Sequence, residues 1–208
     1  MKRITLIRHG KQDTNLFNAD CSLSNIGKQQ ALLLKERLRD KSFDKIYSST
    51  LKRAIETSDI LNENWNKEIE RRKELNEIDY GLFTGIPIIS QKNENKDFFT
   101  RLNSRKEDLS FPEGENGEIA YNRALTVFKE IEKSKYNSIL IVTHGGLIRA
   151  LIAGLLSLPF SSRFAFSKYL ENTSITELLY DEDTNLYFLE SLNDSDHLKG
   201  RDELRRKE

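Results

Sequence analysis

The chain begins with a short apolar segment that ends in an arginine, a histidine and a glycine: Lys2-Arg3-Ile4-Thr5-Leu6-Ile7-Arg8-His9-Gly10. The four residues before the arginine are apolar or β-branched, which is typical of a β-strand. Ligands of open α/β sheets bind at the carboxyl ends of the strands, where Arg8 and His9 would lie. Arginine binds phosphate oxygens in a bidentate fork, and Gly10 would let a backbone N–H approach. His9 is therefore a candidate nucleophile, although two polar surface residues would fit this stretch equally well.

The composition limits the class of protein. The chain has 208 residues, enough for a sizeable core and most simply for one domain, residues 1–208. Lys plus Arg and Asp plus Glu number 33 each, so no overall charge favours nucleic acid or an anionic membrane, and any basic site must be local. Cys21 is the single cysteine, which excludes an internal disulfide and suits a reducing compartment. We expect its thiol to be structural.

No segment predicts secretion or membrane insertion. The apolar run near the N-terminus is too short for a signal peptide, and no apolar stretch approaches the roughly 20 residues of a membrane span. We therefore expect a soluble, cytoplasmic protein that binds neither membrane nor nucleic acid. No spacing of His, Cys, Asp or Glu indicates a metal site, so neither a metal nor another cofactor is expected.

The segment after the first strand alternates between loop, helix and strand. Residues 11–21 form a polar loop that contains Asn15, and loops at this end of a strand commonly contact ligands. Ser24 is a plausible N-cap for a helix whose apolar residues recur at helical spacing. Residues 43–49 then predict a second strand, which again ends in polar groups.

Arg53 lies in the first turn of the next predicted helix. A guanidinium there would face the same crevice as Arg8 and His9, where the helix N-terminus also favours an anion. The alternative is an exposed helix charge that pairs with Glu56 or Glu63.

An acidic loop follows a weak strand candidate at residues 69–75. Glu74, Glu77 and Asp79 come just before a Gly-x-x-x-Gly element that runs from Gly81 to Gly85, so the loop would carry a catalytic acid. Residues 86–116 are polar, with basic and aromatic side chains interleaved and matched by acids. This composition is typical of a solvated lid or insertion rather than of a core element or a nucleic-acid surface.

The strongest strand-to-helix junction lies in the second half of the chain. Four consecutive aliphatic residues at 139–142 predict a central parallel strand that is covered on both faces. This strand would bring His144 to the same sheet edge as His9, and Gly145 would open the next helix. Pro159 is predicted to end that helix.

The remaining segments complete the predicted fold. Residues 118–133 predict a helix, and residues 174–180 and 186–192 predict an antiparallel edge pair. The polar residues 194–208 predict a frayed tail that carries His197 as a surface histidine. The order of elements predicts an α/β fold, a three-layer sandwich with a central, mostly parallel sheet, helices on both faces, an antiparallel edge strand and an inserted lid.

Taken in order, these segments resemble the histidine phosphatase superfamily, which includes the cofactor-dependent phosphoglycerate mutases. Any one motif would be weak evidence, but the ordered set is specific. The matching residues are Leu6-Ile-Arg-His-Gly10, Asn15, Leu23-Ser24-x-x-Gly27-x-x-Gln-Ala31, Ser48-Ser49-x-x-x-Arg53-Ala54-x-x-Thr57, Asn76-Glu77-x-x-x-Gly81-x-x-x-Gly85, Pro112-x-Gly114-Glu115, Val142-Thr-His-Gly-Gly146 and Asn193-Asp194-x-x-His197-Leu198.

The resemblance implies a role for each matching residue. His9 would attack phosphorus in line and become a phosphohistidine, with water or an acceptor hydroxyl completing the reaction. Glu77 would protonate the leaving alkoxide, a role that needs a carboxyl with a raised pKa. Asp79 and Glu115 are the alternative candidates for this role. Arg8, Arg53 and His144 would act in catalysis by surrounding the equatorial oxygens. The phosphate-binding residues implied are Arg8, Gly10, Asn15, Arg53, His144 and Gly145.

Departures from the family pattern bear on the reaction. The loop after Asn15 lacks the Arg-Phe-x-Gly-Trp element with which the mutases hold phosphoglycerate, and Arg101 and Arg105 do not form the paired arginines of a mutase lid. Against this, the loop from Gly81 to Gly85 is closer to the mutase form. We therefore predict a metal-independent phosphomonoesterase for a small phosphorylated metabolite. The alternatives are a cofactor-dependent phosphoglycerate mutase and a catalytically silent phosphate-binding module.

Overall fold

Six β-strands and six α-helices form the fold of residues 1–206, which the computed structural model describes. None of these helices is long and apolar enough to cross a membrane. In chain order the elements are β1 Lys2–Arg8, α1 Asn25–Arg37, β2 Lys45–Ser48, α2 Lys52–Asn62, β3 Ile69–Arg71, α3 Ile88–Glu94, α4 Lys96–Ser104, α5 Gly117–Lys133, β4 Ser138–Thr143, α6 Gly145–Leu155, β5 Ile175–Asp181 and β6 Leu186–Asp194. Short 3₁₀ turns lie at Lys73–Leu75, Gly81–Phe83, Phe160–Phe164, Asp196–Leu198 and Asp202–Leu204.

The strands form one sheet in the order β3-β2-β4-β1-β5-β6. Strands β1 to β4 are mutually parallel, whereas β5 runs antiparallel to both β1 and β6. The predicted mostly parallel sheet with an antiparallel edge pair is confirmed. In the β1–β4 pair Arg8 is in register with Thr143, so the residues that follow the two strands lie side by side.

The central strands bury side chains on both faces of the sheet. Ile7 and Val142 pack with side chains of α1 and α2, while Leu6 and Ile141 pack with side chains of α5 and α6 on the opposite face. Alternate side chains of a strand point to opposite faces, so a strand that is apolar throughout needs helices on each side. The predicted three-layer sandwich is confirmed.

The ends of the helices follow from local capping. Ser24 is the N-cap of α1, as predicted, because its hydroxyl accepts a backbone N–H from the first turn. Helix α6 ends at Leu155, earlier than the predicted stop at Pro159. Ser157 adopts a left-handed conformation with φ 55°, and the N–H of Leu158 returns to a carbonyl of the last turn. This left-handed turn ends the helix before the proline is reached.

Residues 86–116 do more than cover the surface. They contain α3 and α4, and their side chains Leu102 and Phe111 are buried in the same hydrophobic cluster as α5 and α6. Phe98 and Phe99 pack against that cluster. The prediction of a segment without a role in the core is wrong for this inner face, because a few apolar side chains at helical spacing turn inward from a polar sequence.

The C-terminal residues 194–206 pack against the body of the protein. Leu198 and Leu204 are buried, and the Gln30 side-chain amide donates to the Leu204 carbonyl over 2.6 Å. The prediction of a frayed tail is therefore wrong for these residues, because two well-spaced leucines suffice to anchor a polar segment. Residues 207 and 208 of the predicted tail lie outside the described residues.

His197 is not the surface histidine that was predicted. Its ring is partly buried, and Nε2 lies 2.9 Å from the hydroxyl of Thr173. Burial, with a smaller contribution from Arg37, lowers the pKa of His197 to about 4. The segment around His197 is therefore fixed by polar as well as apolar contacts.

Packing of the C-terminal segment can be tested with Leu198→Ala. Leu198 is fully buried, so truncation should lower the free energy of unfolding by about 2–5 kcal/mol, as measured in urea. Leu32→Ala is the matched control, because Leu32 is 47 % exposed on α1 and its loss should change stability by less than about 0.5 kcal/mol. Equal stability of the two variants would contradict the packed arrangement.

Candidate active site

The pairing of β1 with β4 brings two histidines together at the carboxyl ends of the strands. His9 directly follows β1, and its N–H donates to the carbonyl of Thr143 at the end of β4. His144 follows Thr143 in the sequence, and the ring centroids of His9 and His144 lie 4.9 Å apart. Only 4 % of His9 and none of His144 is exposed, so both rings lie inside the protein.

The hydrogen bonds of His9 define its protonation state. Nδ1 lies 2.7 Å from the Gly10 carbonyl, which can only accept, so Nδ1 carries the ring proton. Nε2 then presents its lone pair, and it accepts the Nε–H of Arg53 over 3.2 Å. Burial, followed by the charges of Arg53 and Arg8, holds the pKa of His9 well below its usual value of 6.5. His9 is a neutral imidazole whose unprotonated Nε2 accepts from Arg53.

Arg53 is the buried partner of this histidine. It lies in the first turn of α2 with 1 % exposure, and its Nη1 and Nη2 donate to the Ala19 carbonyl and the Asn18 side chain over 3.0 and 2.8 Å. The alternative of an exposed arginine paired with Glu56 or Glu63 is therefore wrong. Burial lowers the pKa of Arg53, but the side chain remains a cation.

Arg8 provides a second cation at the same place. Its Nη1 donates to the carbonyl of Leu170, and its buried Nε has no hydrogen-bond partner within residues 1–206. Burial, and next the nearby charge of Arg206, lowers the pKa of Arg8 to about 10. The side chain is thus charged at neutral pH and has a donor to offer to an anion.

His144 packs beside His9 and is held by a serine. Its Nε2 lies 2.7 Å from the Ser49 hydroxyl, which in turn lies 2.8 Å from the Asn76 side-chain oxygen. Its Nδ1 is buried and has no partner in the described part of the chain. The Ser49 hydroxyl donates its one proton to Asn76 Oδ1 and therefore accepts from Nε2, so Nε2 carries the ring proton of His144 and Nδ1 keeps a lone pair. Burial and the charge of Arg53 hold the pKa of His144 well below 6.5.

Of the three candidate acids, only Glu77 lines the cavity next to His9. The N–H groups of Gly146 and Leu147, at the start of α6, donate to its carboxylate over 3.2 and 3.0 Å. Asp79 instead caps the turn at residue 81, and Glu115 forms an ion pair with an arginine of α5. The helix N-terminus therefore fixes Glu77 as the carboxylate of this site.

Two predicted phosphate ligands lie elsewhere. Asn15 is exposed and outside the cavity, whereas Asn18 lines the cavity and contacts Arg53. Asn15 therefore stays a prediction as a phosphate ligand, and Asn18 is the asparagine of this loop that lines the cavity. The N–H of Gly10 donates to the Thr57 hydroxyl over 3.0 Å and is already used. Gly145 does line the cavity, packed against the Arg8 side chain.

A cavity of about 730 Å³ opens in front of His9. Its walls carry more basic than acidic groups, although the chain as a whole has no net charge. Such a local excess of cations suits an anionic ligand. Within residues 1–206 no group of three or more His, Cys, Asp or Glu side chains could hold a metal ion. The basic lining residues are Arg8, Lys11, Arg53, Lys92, Arg149, Arg163, Arg205 and Arg206, and the acidic ones are Glu77 and Glu203.

Sequence reasoning missed several of these residues. Asn172 donates from its side chain to the His9 carbonyl over 3.0 Å, and Arg163 and Arg206 come from segments after α6 that had no recognisable pattern. Arg149 was detectable in principle, because it follows Gly145 by four residues and so lies on the same face of α6. The contact of Ser49 with His144 could not be predicted from the motif that contains Ser49.

Two buried histidines and two arginines lie at one edge of the α/β sheet, beside a basic cavity. This arrangement is typical of a class of phosphate-binding proteins. The sequence profile of the histidine phosphatase superfamily (branch 1) matches residues 4–195, and the chain belongs to that superfamily.

Individual relatives agree with this assignment. Phosphoserine phosphatase 1 of Hydrogenobacter thermophilus is 29 % identical over 204 residues, which cover 95 % of both chains. Phosphoglycerate mutase-like protein 4 of Arabidopsis thaliana is 32 % identical over 157 residues, 71 % of this chain and 68 % of that one. The structure of a mycobacterial glucosyl-3-phosphoglycerate phosphatase with inorganic phosphate superposes with a TM-score of 0.84 and 27 % identity, covering 95 % of this chain and 99 % of the other. The predicted family and phosphatase class are confirmed, and mutase-like proteins belong to the same family.

The contact between α6 and Glu77 can be tested with Gly146→Ala. A Cβ at this position would lie 2.5 Å from Glu77 Oε1, so the carboxylate must move. Displacement by about 1 Å should lower kcat for p-nitrophenyl phosphate roughly 100-fold. Alanine favours a helix, so the melting temperature should not fall, and binding of inorganic phosphate should persist. Full turnover by this variant would show that Glu77 need not occupy its observed position.

Proposed function

We propose that the protein is a metal-independent phosphomonoesterase that hydrolyses a small phosphorylated metabolite through a phosphohistidine on His9. The observation that carries the proposal is the Nε2 lone pair of a neutral, buried histidine, flanked by Arg53 and Arg8 and facing the cavity that Glu77 lines. A neutral imidazole is the form that attacks phosphorus, so no proton has to be removed first.

In the first step a phosphoryl group binds in front of His9. Its oxygens take the Nε–H of Arg53 away from His9, and they accept from Nε of Arg8, a buried donor without a partner in the described residues. Nε2 then forms a bond to phosphorus while the ester P–O bond breaks. The cations stabilise the charge that spreads over the equatorial oxygens. Glu77, in its protonated form, gives its proton to the leaving alkoxide.

In the second step water replaces the alcohol product. The carboxylate of Glu77 removes a proton from this water, whose oxygen attacks the phosphorus of phosphohistidine. The P–N bond breaks, inorganic phosphate leaves, and His9 returns to its neutral form. Glu77 is then protonated again and ready for the next substrate.

The size and charge of the cavity favour a small anionic substrate. A volume of about 730 Å³ is in the range of pockets for metabolites and too confined for a folded protein. Relatives named for phosphoserine and for glucosyl-3-phosphoglycerate fit this range. Phosphoserine is therefore the first metabolite to assay.

Phosphoglycerate mutation is the second candidate, supported by the mutase-like relative and by the loop from Gly81 to Gly85. A mutase must keep its bisphosphate intermediate and turn it in the site. The loop at residues 11–21 is short and lacks the Arg-Phe-x-Gly-Trp element of the mutases, and its Phe17 packs 5.3 Å from the ring of Tyr80. Interconversion of 2- and 3-phosphoglycerate, assayed with a 2,3-bisphosphoglycerate primer, decides between the two; we expect none above the rate of hydrolysis.

The phosphohistidine can be trapped directly. Brief reaction with ³²P-labelled p-nitrophenyl phosphate, followed by denaturation, should label the wild type with a phosphate that is stable in alkali and lost in acid. His9→Gln should abolish the label and lower kcat at least about 1,000-fold, since it removes the nucleophile. His197→Gln, at a histidine of the C-terminal segment that does not line the cavity, should still be labelled. Undiminished turnover by His9→Gln would disprove the proposed function.

A further inference from the structure

His144 has one ring nitrogen with a hydrogen-bond partner and one without. Nε2 lies 2.7 Å from the Ser49 hydroxyl, whereas Nδ1 is buried and has no partner within residues 1–206. No part of His144 is exposed to solvent. Buried polar atoms of folded proteins nearly always have partners, so an unpaired ring nitrogen beside the nucleophile points to a ligand.

Two backbone N–H groups fix the directions of the hydrogen bonds that reach His144. The N–H and the hydroxyl of Thr50 donate to Asn76 Oδ1, each over 2.9 Å, and the N–H of Leu51 donates to Ser49 Oγ over 3.1 Å. A backbone N–H can only donate, so the Asn76 atom that faces Ser49 is the amide oxygen. The Ser49 hydroxyl gives its one proton to this oxygen over 2.8 Å and accepts from Nε2. Nδ1 of the neutral ring therefore holds a lone pair and can only accept.

The surroundings of His144 keep its ring neutral until an anion binds. Burial, followed by the charge of Arg53, holds the pKa of His144 well below 6.5. The carboxylate of this site, Glu77, is already bound by the N–H groups at the start of α6. The other titratable groups that act on the ring are Arg8 of β1, His9 directly after it, Arg53 of α2 and Arg123 of α5.

An unpaired donor lies close to this unpaired acceptor. Nε of Arg8 is buried without a partner in the described residues, and it lies 3.3 Å from the position that a Cβ on Gly145 would take. Gly145 directly follows His144 and lines the cavity, and Nδ1 is the ring nitrogen nearer to the main chain. The dianion of a phosphate ester can only accept hydrogen bonds. A phosphoryl group that keeps one proton has oxygens for Arg8 and a hydroxyl for Nδ1, so it satisfies both atoms.

We propose that Ser49 and Asn76 are positioning residues that hold His144 as a hydrogen-bond acceptor, so that the site binds a phosphoryl group that carries one proton. This proposal rests on the proposed phosphatase function and narrows its substrate to the monoanion of a phosphomonoester. The P–O–H group donates its proton to Nδ1 of His144, and transfer of that proton makes the ring an imidazolium and the phosphoryl group a dianion. The same proton leaves with inorganic phosphate, so His144 neither gains nor loses a proton over one turnover.

Inorganic phosphate and sulfate test this acceptor because they differ in one proton. At pH 8 both are mainly tetrahedral dianions of similar size, but only phosphate keeps a hydroxyl. Sulfate would leave Nδ1 unpaired and place an oxygen against its lone pair. Isothermal titration calorimetry at constant ionic strength should therefore give a dissociation constant for phosphate about 10 to 100 times lower than that for sulfate.

Variants assign this discrimination to Ser49 and Asn76. Ser49→Ala removes the acceptor that holds the ring proton on Nε2, so Nδ1 can carry the proton and donate to sulfate. The ratio of the two dissociation constants should then fall at least about fivefold. Asn76→Leu frees the Ser49 hydroxyl to donate to Nε2 and should act in the same way. Ser58→Ala is the matched control and should keep the ratio, because Ser58 is an equally buried serine of α2 that does not line the cavity.

The tautomer of His144 can be observed without any variant. In protein labelled with ¹⁵N at histidine, ligand-free His144 should carry its proton on Nε2 and show an unprotonated Nδ1 at pH 8. Phosphate should shift the Nδ1 resonance toward that of a protonated nitrogen, and sulfate should leave it in place. A ligand-free ring with its proton on Nδ1 overturns the acceptor role.

The outcomes separate this proposal from the proposed function. If phosphate and sulfate bind equally, or neither binds, while p-nitrophenyl phosphate is hydrolysed and His9 is labelled, only the acceptor role of His144 fails. A wild type that hydrolyses no phosphomonoester and labels no histidine overturns the phosphatase function, and the acceptor role with it.

Discussion

The contact between the Arg53 guanidinium and the Nε2 atom of His9 governs the chemistry of this protein. Both groups are withdrawn from water, and a buried cation disfavours a second positive charge beside it. His9 therefore stays neutral, and the Gly10 carbonyl fixes its proton on Nδ1. The geometry follows from the fold, since His9 directly follows β1 and Arg53 lies in the first turn of α2, at the same edge of one sheet. In the proposed mechanism, His9 therefore needs no proton transfer before it attacks.

The concentration of cations around His9 explains how a protein without net charge can recognise anions. Burying arginines without carboxylate partners is unfavourable, and it is sustained here by backbone carbonyls and by the packing of two hydrophobic clusters. An anionic ligand then supplies the compensating negative charge. Donors that are fixed in advance need no reorganisation when charge develops in a transition state.

The sequence was sufficient to predict the position of a site residue where the strand or helix that carries it determines that position. Strand ends at His9 and His144 and the helix start at Arg53 follow from local periodicity, which is why their convergence could be predicted. The path of the loop that brings Asn18 rather than Asn15 to the cavity wall depends on packing against distant segments, and no local pattern encodes it. Packing against distant segments also determines the inner face of residues 86–116, the docking of the C-terminal segment and the positions of the arginines after α6. Each depends on a surface that exists only after the sheet has formed.

The protonation state of His9 tests the account most directly. In protein labelled with ¹⁵N at histidine, the account predicts that His9 shows a protonated Nδ1 and an unprotonated Nε2 at pH 8, and that both signals stay unchanged down to pH 6. The sign follows from a pKa held well below 6.5, because the imidazole then takes up its proton only at a lower pH than a free histidine. Arg53→Met should raise this pKa. A His9 ring that is protonated at both nitrogens at pH 7, or that carries its single proton on Nε2, would contradict the account.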